Sequence, residues 1–308
     1  MHSTDRECQA TLHQVTKEIG TMPATADQIM QFAARHAGPD IIVLPNAWDP
    51  GSAVLMAEVG FEAIATTSAG IAHAQGRPDG TLGRDEMLAY VARIARAVPV
   101  PVTADLEHGY GPRAEDVAGT VVAALDVGLA GCNIEDSGVG GDPALIDVGR
   151  ACDRIRAARE AIPHGRPFVL NVRTDPYLCG GDPEACFAEA VRRAHAYADA
   201  GADCVFVPGP MDAATVGRLA AAVPVPLNVL SARAGREASL TVADLGRLGV
   251  RRVSVGGSLA LAAMGFVRST LAGMIEGTFT FGSGAPTNAE MNRTMLRFAP
   301  AAASRHLV

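Results

Sequence analysis

The feature that most constrains this chain is an alternation repeated eight times. From Asp40 onward short β-branched runs recur, each followed by an alanine-rich stretch with helical spacing: IIVLPN (41–46), AIATTS (63–68), VPVTAD (100–105), GCNIED (131–136), FVLNVRTD (168–175), CVFVPG (204–209), PLNVL (226–230) and RVSVGG (252–257). Strands that are apolar on both faces and separated by helices belong to a parallel sheet covered on both sides, and eight of them close into a (β/α)8 TIM barrel. The helical stretches carry their own signal. Residues 84–97 put Met87, Tyr90, Val91 and Ile94 on one stripe, and residues 114–127 do the same with Val117, Val121, Val122 and Leu125. Glycine turn signals stand before several strands, in VGF (59–61), VGLAG (127–131), AGAD (200–203) and LGV (248–250), where helix C-termini need them.

The 308 residues fit one such barrel, which takes about 250 residues plus insertions. The spacing predicts a polar leader over 1–39 with a helix at 25–37, a barrel over 40–276 whose last helix is 258–276, and a Gly- and Pro-broken extension over 277–308 with one more short helix. No linker divides off a second domain.

Composition excludes several functions. A net charge of −7 without a basic cluster argues against a nucleic-acid partner. No uninterrupted apolar run reaches the roughly 18 residues of a membrane span, and the N-terminus lacks a secretory layout, so a cytoplasmic protein without a membrane partner is expected. The six cysteines form no CxxC pair and read mostly as small core residues. Lys17 is the only lysine and precedes the first strand, which argues against Schiff-base and pyridoxal-phosphate chemistry.

Catalytic groups of such a barrel stand where strands run into the loops that follow them. Those positions hold Asp105 and Glu107 after the third strand, Glu135 and Asp136 after the fourth, Asp79 in the loop after the second, and Arg173 and Asp175 after the fifth. Several carboxylates at one mouth repel one another unless a cation holds them. Oxygen-only donors select a hard dication, Mg²⁺ or Mn²⁺ in its place, which would chelate a 2-oxo carboxylate and stabilise its enolate. Arg173 is placed to bind a substrate carboxylate, or else to form a structural ion pair across the barrel. Asp136 and Asp175 read as N-caps of the helices that follow. His73, His108, Tyr110 or a metal-bound water are candidates for proton transfer, and the two histidines, without a partner at ligand spacing, read as loop residues rather than metal ligands.

At these residues the sequence resembles the isocitrate lyase/phosphoenolpyruvate mutase superfamily. The likeness runs from about Phe32 to Met274 and is carried by LPNAWDPGSA (44–53), TTSAG (66–70), GRPDG (76–80), VTADLEHGYG (102–111), NIED (133–136) and NVRTD (171–175). The resemblance implies that Asp105 is the carboxylate nearest a metal ion, with Glu107 and Glu135 acting through its waters, and that Asp79 is a loop aspartate near it. It further implies substrate binding by Trp48, by the backbone and hydroxyl donors of Ser68, Ala69 and Gly70, by Arg173, and by Asn228 toward the distal part of the substrate. A homotetramer, often with the eighth helix exchanged between neighbours, is implied as well.

One segment departs from the family. Its isocitrate and methylisocitrate lyases carry after the fourth strand a KCGH-type loop whose Cys donates a proton, and its mutases and phosphonopyruvate hydrolases carry a longer loop with Lys plus Asn or Thr. Here that loop is SGVGGDPALID (137–147), without Cys, Lys or His. The expectation is a Mg²⁺-dependent carbon–carbon lyase for a small 2-oxo or 2-hydroxy carboxylate. P–C bond chemistry of the phosphonopyruvate hydrolase or mutase type is the nearest alternative, and a non-catalytic carboxylate-binding barrel is the alternative of another class.

Overall fold

The structure is a computed structural model that describes residues 23–231, 240–279, 282 and 284–299. Lys17 and Cys8 lie outside the described residues. The strands are β1 (Ile42–Leu44), β2 (Asn46–Ala47), β3 (Ile64–Thr66), β4 (Val102–Asp105), β5 (Gly131–Glu135), β6 (Val169–Arg173), β7 (Cys204–Phe206), β8 (Leu227–Leu230) and β9 (Arg252–Ser254). All pair in parallel, in the order β1-β9-β8-β7-β6-β5-β4-β3-β2.

The eight runs of the sequence become nine strands for a local reason. Pro45 has no N–H to donate, so the first run breaks there. Its lower half pairs with β9, its upper half pairs with β3, and the Pro45 carbonyl accepts from the Ala65 N–H at 2.9 Å. The sheet closes through this broken strand, as the TIM-barrel reading requires.

The expected helices form with small changes of boundary: Ala26–Arg35, Arg84–Arg96, Ala114–Asp126, Ser258–Ile275 and, in the C-terminal extension, Asn288–Phe298. Thr25 opens the first of these with a reciprocal capping box to Gln28. Gly60, Gly128, Gly201 and Gly249, one from each turn signal, adopt the left-handed conformation that side chains resist.

Helix Ala26–Arg35 plugs the barrel floor. Its Ile29 and Phe32 pack against Ile42, Ala63, Ala130 and Val169, which stand at the N-terminal ends of their strands. His36, just beyond it, is buried with Nδ1 2.9 Å from the Phe32 carbonyl and Nε2 3.4 Å from Nη1 of the fully buried Arg252. Burial, reinforced by the Arg252 charge, lowers the His36 pKa to about 4.

Helix Ser258–Ile275 behaves differently from the others. Ala260 is its only buried residue, whereas Phe266 is 60% and Ile275 90% exposed. Arg268 and small polar residues interrupt its apolar run. Even so, with a mean hydropathy of 1.5 over 18 residues it is the one helix among the described residues that meets the length and composition of a membrane span. An apolar groove of about 840 Å³ runs beside it, lined in part by Trp48, Leu55, Leu259, Met291 and Met295.

Candidate active site

Alternation along the strands decides what faces the bore. On β4, β5 and β6 the inward residues are Thr103 and Asp105, Asn133 and Glu135, and Asn171 and Arg173. The register sets Asp105 beside Asn133 and Glu135 beside Arg173. Asp105 and Glu135 therefore share one mouth with Arg173.

Asp105 accepts a hydrogen bond from the Ser68 hydroxyl at 3.1 Å, with the Ser68 and Glu107 N–H groups each at 3.4 Å. Burial raises its pKa, the Arg173 guanidinium lowers it, and Asp79 raises it again. Glu107 is pushed up to about 7, first by burial and then by the Asp105 and Asp79 charges, while a 3.2 Å hydrogen bond from the Tyr110 hydroxyl pulls the other way. Glu135 is pushed up to about 8 by burial, against the pull of Arg173. In all three, burial is the largest cause and outweighs the pull of the neighbouring guanidinium or hydroxyl, so Glu107 and Glu135 are shifted toward neutral pH and Asp105 in the same direction.

The backbone under this cluster is strained. Glu107 and Tyr110 are the only described non-glycine residues with positive φ, at 50° and 58°. Each such residue costs about 1–2 kcal/mol in an L-chain, and strain of this kind collects at functional sites.

Arg173 is held on two sides. Its Nη1 meets Glu135 at 2.9 Å, and its Nε and Nη2 form a fork onto Asp175 at 2.7 and 2.9 Å, with the Phe206 ring 5.8 Å away. Asp175 accepts in turn from Ser137 at 2.6 Å. This corrects the capping role expected for Asp175: it occupies the position before the short helix Pro176–Cys179, but its side chain caps nothing and orients Arg173 instead. Asp136 is corrected too. One residue beyond the inward-facing Glu135, it turns the opposite way and is fully buried, accepting from Thr174 and Tyr197 at 2.6 Å, from Arg193 at 3.0 Å and from the Asp175 N–H at 3.1 Å. The sequence reading missed Arg193 and Tyr197. Their signal was an Arg and a Tyr four residues apart on the buried stripe of helix Pro183–Asp199, alongside Cys186, Ala190 and Ala194.

The other candidates are placed as follows. Ala69 and Gly70 open helix Ser68–Ala74, where the Gly70 N–H donates to Thr67 at 3.3 Å and a Cβ on Gly70 would strike Thr67 and Trp48. Trp48 lines the apolar groove beside Ser258–Ile275. Asp79 is exposed in its loop and accepts from the Gly80 N–H, yet its charge reaches both Asp105 and Glu107. His108 packs beside Tyr110 with ring centroids 6.0 Å apart. The His73 Nδ1 is buried without a hydrogen-bond partner. Asn228 lies within β8, fully buried in the bore beneath the mouth, with its Nδ2 unpaired. Of the cysteines, Cys132, Cys152, Cys186 and Cys204 are buried as expected, and Cys179 is exposed.

Among the described residues no three His, Cys, Asp or Glu groups stand close enough to ligate one ion directly. An ion seated on Asp105 would therefore complete its shell with water and substrate oxygens. Mg²⁺, which sheds water reluctantly and binds through one or two carboxylates, fits such an oxygen-donor set.

A parallel barrel with an acidic, arginine-centred mouth defines the class as an α/β-barrel protein with its site at the strand C-termini. The family model for phosphoenolpyruvate phosphomutase matches residues 32–275. An uncharacterized protein of Mycobacterium tuberculosis is 37% identical over 74% of this chain and 82% of its own length. The protein named "probable 2-methylisocitrate lyase 2" of Corynebacterium glutamicum is 31% identical over 80% and 81%. An oxaloacetate decarboxylase of Pseudomonas putida is 30% identical over 79% and 84%. Among solved structures, a Burkholderia cenocepacia protein described as a "putative lyase/mutase" aligns with a TM-score of 0.81 at 39% identity, covering 87% of this chain and 96% of that one. Phosphonopyruvate hydrolase in complex with oxalate and Mg²⁺ aligns with a TM-score of 0.78 at 25% identity, covering 91% and 99%. The chain belongs to the phosphoenolpyruvate mutase/isocitrate lyase superfamily.

Proposed function

We propose that this protein is a Mg²⁺-dependent carbon–carbon lyase acting on a small 2-oxo or 2-hydroxy di- or tricarboxylate, with Mn²⁺ able to replace Mg²⁺. The observation that carries the reading is the gathering of Asp105, Glu107 and Glu135 at one mouth around Arg173. When bound there, the dication supplies a Lewis acid for the 2-oxo group of the substrate. Asp105 would hold the ion directly, Glu107 and Glu135 would orient its waters, and Asp79 would add charge from its loop. Ser68, Ala69, Gly70 and Arg173 would receive the substrate carboxylates. Trp48 and Asn228 would then shape the pocket from the groove side and from the bore beneath.

Decarboxylation is the version this chain serves best. Loss of CO₂ from an oxaloacetate-like acid leaves the electron pair of the broken bond in the enolate and needs no general acid during scission. That matters because the loop over 137–147 offers no Cys, Lys or His. A proton must reach the enolate carbon afterwards; the candidate donors are Tyr110, whose hydroxyl is hydrogen-bonded to Glu107, His108, His73 or a water on the ion, and the donor would recover its proton from solvent. The relative named oxaloacetate decarboxylase supports this version, and the one named 2-methylisocitrate lyase supports retro-aldol cleavage.

The test is an incubation with oxaloacetate, methylisocitrate, dimethylmalate and phosphonopyruvate in Mg²⁺, with and without EDTA. Pyruvate formation that EDTA abolishes is the expected outcome. Phosphate release from phosphonopyruvate alone would replace the lyase with a hydrolase, and undiminished turnover after EDTA would remove the metal. If oxalate binds in Mg²⁺ and no substrate turns over, the barrel is a carboxylate-binding protein.

The same reading includes a homotetramer that exchanges helix Ser258–Ile275 between neighbours. What supports it is the apolar face of that helix, with Phe266, Val267, Leu271 and Ile275 uncovered, next to a groove of matching character. Light scattering is the check: Phe266→Glu should shift the mass toward smaller species.

A further inference from the structure

The loop that carries Glu107 and Tyr110 is held from behind. Arg154, on helix Val148–Glu160, is 2% exposed and forms no ion pair among the described residues. Its guanidinium instead donates to two main-chain carbonyls of that loop, from Nη1 to Gly111 at 2.6 Å and from Nη2 to His108. The carbonyl between them, that of Gly109, accepts from the Thr120 hydroxyl at 2.9 Å. The Glu107 carbonyl accepts from the Glu135 N–H at 3.0 Å. Both strained residues, Glu107 and Tyr110, thus lie among carbonyls that are pinned by donors from outside the loop.

A buried guanidinium whose hydrogen bonds among the described residues go only to carbonyl oxygens, with Asp116 acting on it through charge alone, is an expensive arrangement, and a hydrophobic side chain would fill the same space on that apolar stripe beside Ala151, Ile155 and Ala158. The arrangement does something a hydrophobic side chain cannot. Two parallel N–H groups fix two carbonyls at once, and so fix the turn between them in the conformation that aims the Tyr110 hydroxyl at the Glu107 carboxylate. We propose that Arg154 is a positioning residue for the active site, holding the 107–111 loop in its strained form so that Glu107 and Tyr110 face the mouth. This inference rests on the reading of Glu107 as a metal-side carboxylate.

The variants are Arg154→Met and Arg154→Lys, with Arg159→Met as the comparison. Arg159 lies on the same helix and also binds a carbonyl, that of Gly201 at 2.9 Å, but it faces away from the mouth and pairs with Asp203. Mn²⁺ binding followed by electron paramagnetic resonance should weaken about 10- to 100-fold in Arg154→Met, the usual range for a lost outer support of a metal site. Turnover should fall in kcat with KM nearly unchanged, because Ser68 and Arg173 are not on this loop. Arg154→Lys, with no fork to span two carbonyls, should fall between. Amide exchange over 107–111 should speed up in Arg154→Met and stay at parent rates in Arg159→Met. If Arg154→Met does not fold, Arg154→Lys and Thr120→Val provide the same comparison. Unchanged exchange over 107–111, or equal losses in the Arg159 variant, would overturn the clamp. A parent protein that binds no Mn²⁺ would sink the metal reading, and the exchange result would then decide the clamp alone.

Discussion

The two ends of this barrel are built on opposite principles. At the floor, Ile29 and Phe32 close the bore with apolar packing, and the histidine beneath them is held neutral beside Arg252. At the mouth, carboxylates crowd around Arg173 with raised pKa values, and two non-glycine residues sit in left-handed backbone. The difference teaches that stability and chemistry are kept apart. The floor gains from burial what the mouth gives up to hold charge in a strained loop.

That comparison can be broken in four ways, from the largest expected effect down. Asp105→Ala should cut turnover about 10⁴-fold, several kcal/mol of lost charge stabilisation, and abolish Mn²⁺ binding. Its urea midpoint should hold steady or rise, because a poorly compensated carboxylate is removed. A large loss of stability without loss of activity would reverse the assignment of the two ends. Phe32→Ala should do the converse, lowering the unfolding free energy by about 4 kcal/mol while kcat per folded molecule stays at the parent value.

The third test uses pH. His36 titrates at about 4 in the folded protein against 6.5 in the unfolded chain, so its contribution is fully present above pH 6.5 and is lost as pH falls toward 4. The loss is roughly 3 kcal/mol, and His36→Gln, which keeps an acceptor for Arg252, should flatten that part of a stability–pH curve. Last, Thr25→Ala removes the capping box of the floor helix. Chemical denaturation should record about 1 kcal/mol, with no change in metal affinity.

Much of the barrel was legible because a strand covered on both faces must be apolar throughout, and that pattern survives in one dimension. The mouth was legible for the same geometric reason: Asp105, Glu135 and Arg173 are the last residues of their strands and Glu107 stands two past one, so the strand ends carry them to the same end of the barrel. Asp136 and Asp175 were misread because a strand-end acid looks the same whether it caps a helix or anchors a network. What separates the two readings is which way the side chain turns and what waits there, Tyr197 and Arg193 in one case and Arg173 in the other.

Local order along the chain settled the eightfold alternation of strand and helix, the positions of the helices and the acidic character of one end, since burial alternates with a period that the residues themselves record. Closure was settled only in three dimensions. The split at Pro45, the Ser68–Asp105 contact across 37 residues and the Arg154 grip on the 107–111 loop all join segments far apart in sequence. Such contacts depend on the radius and register of the closed barrel, a property no single stretch of chain contains.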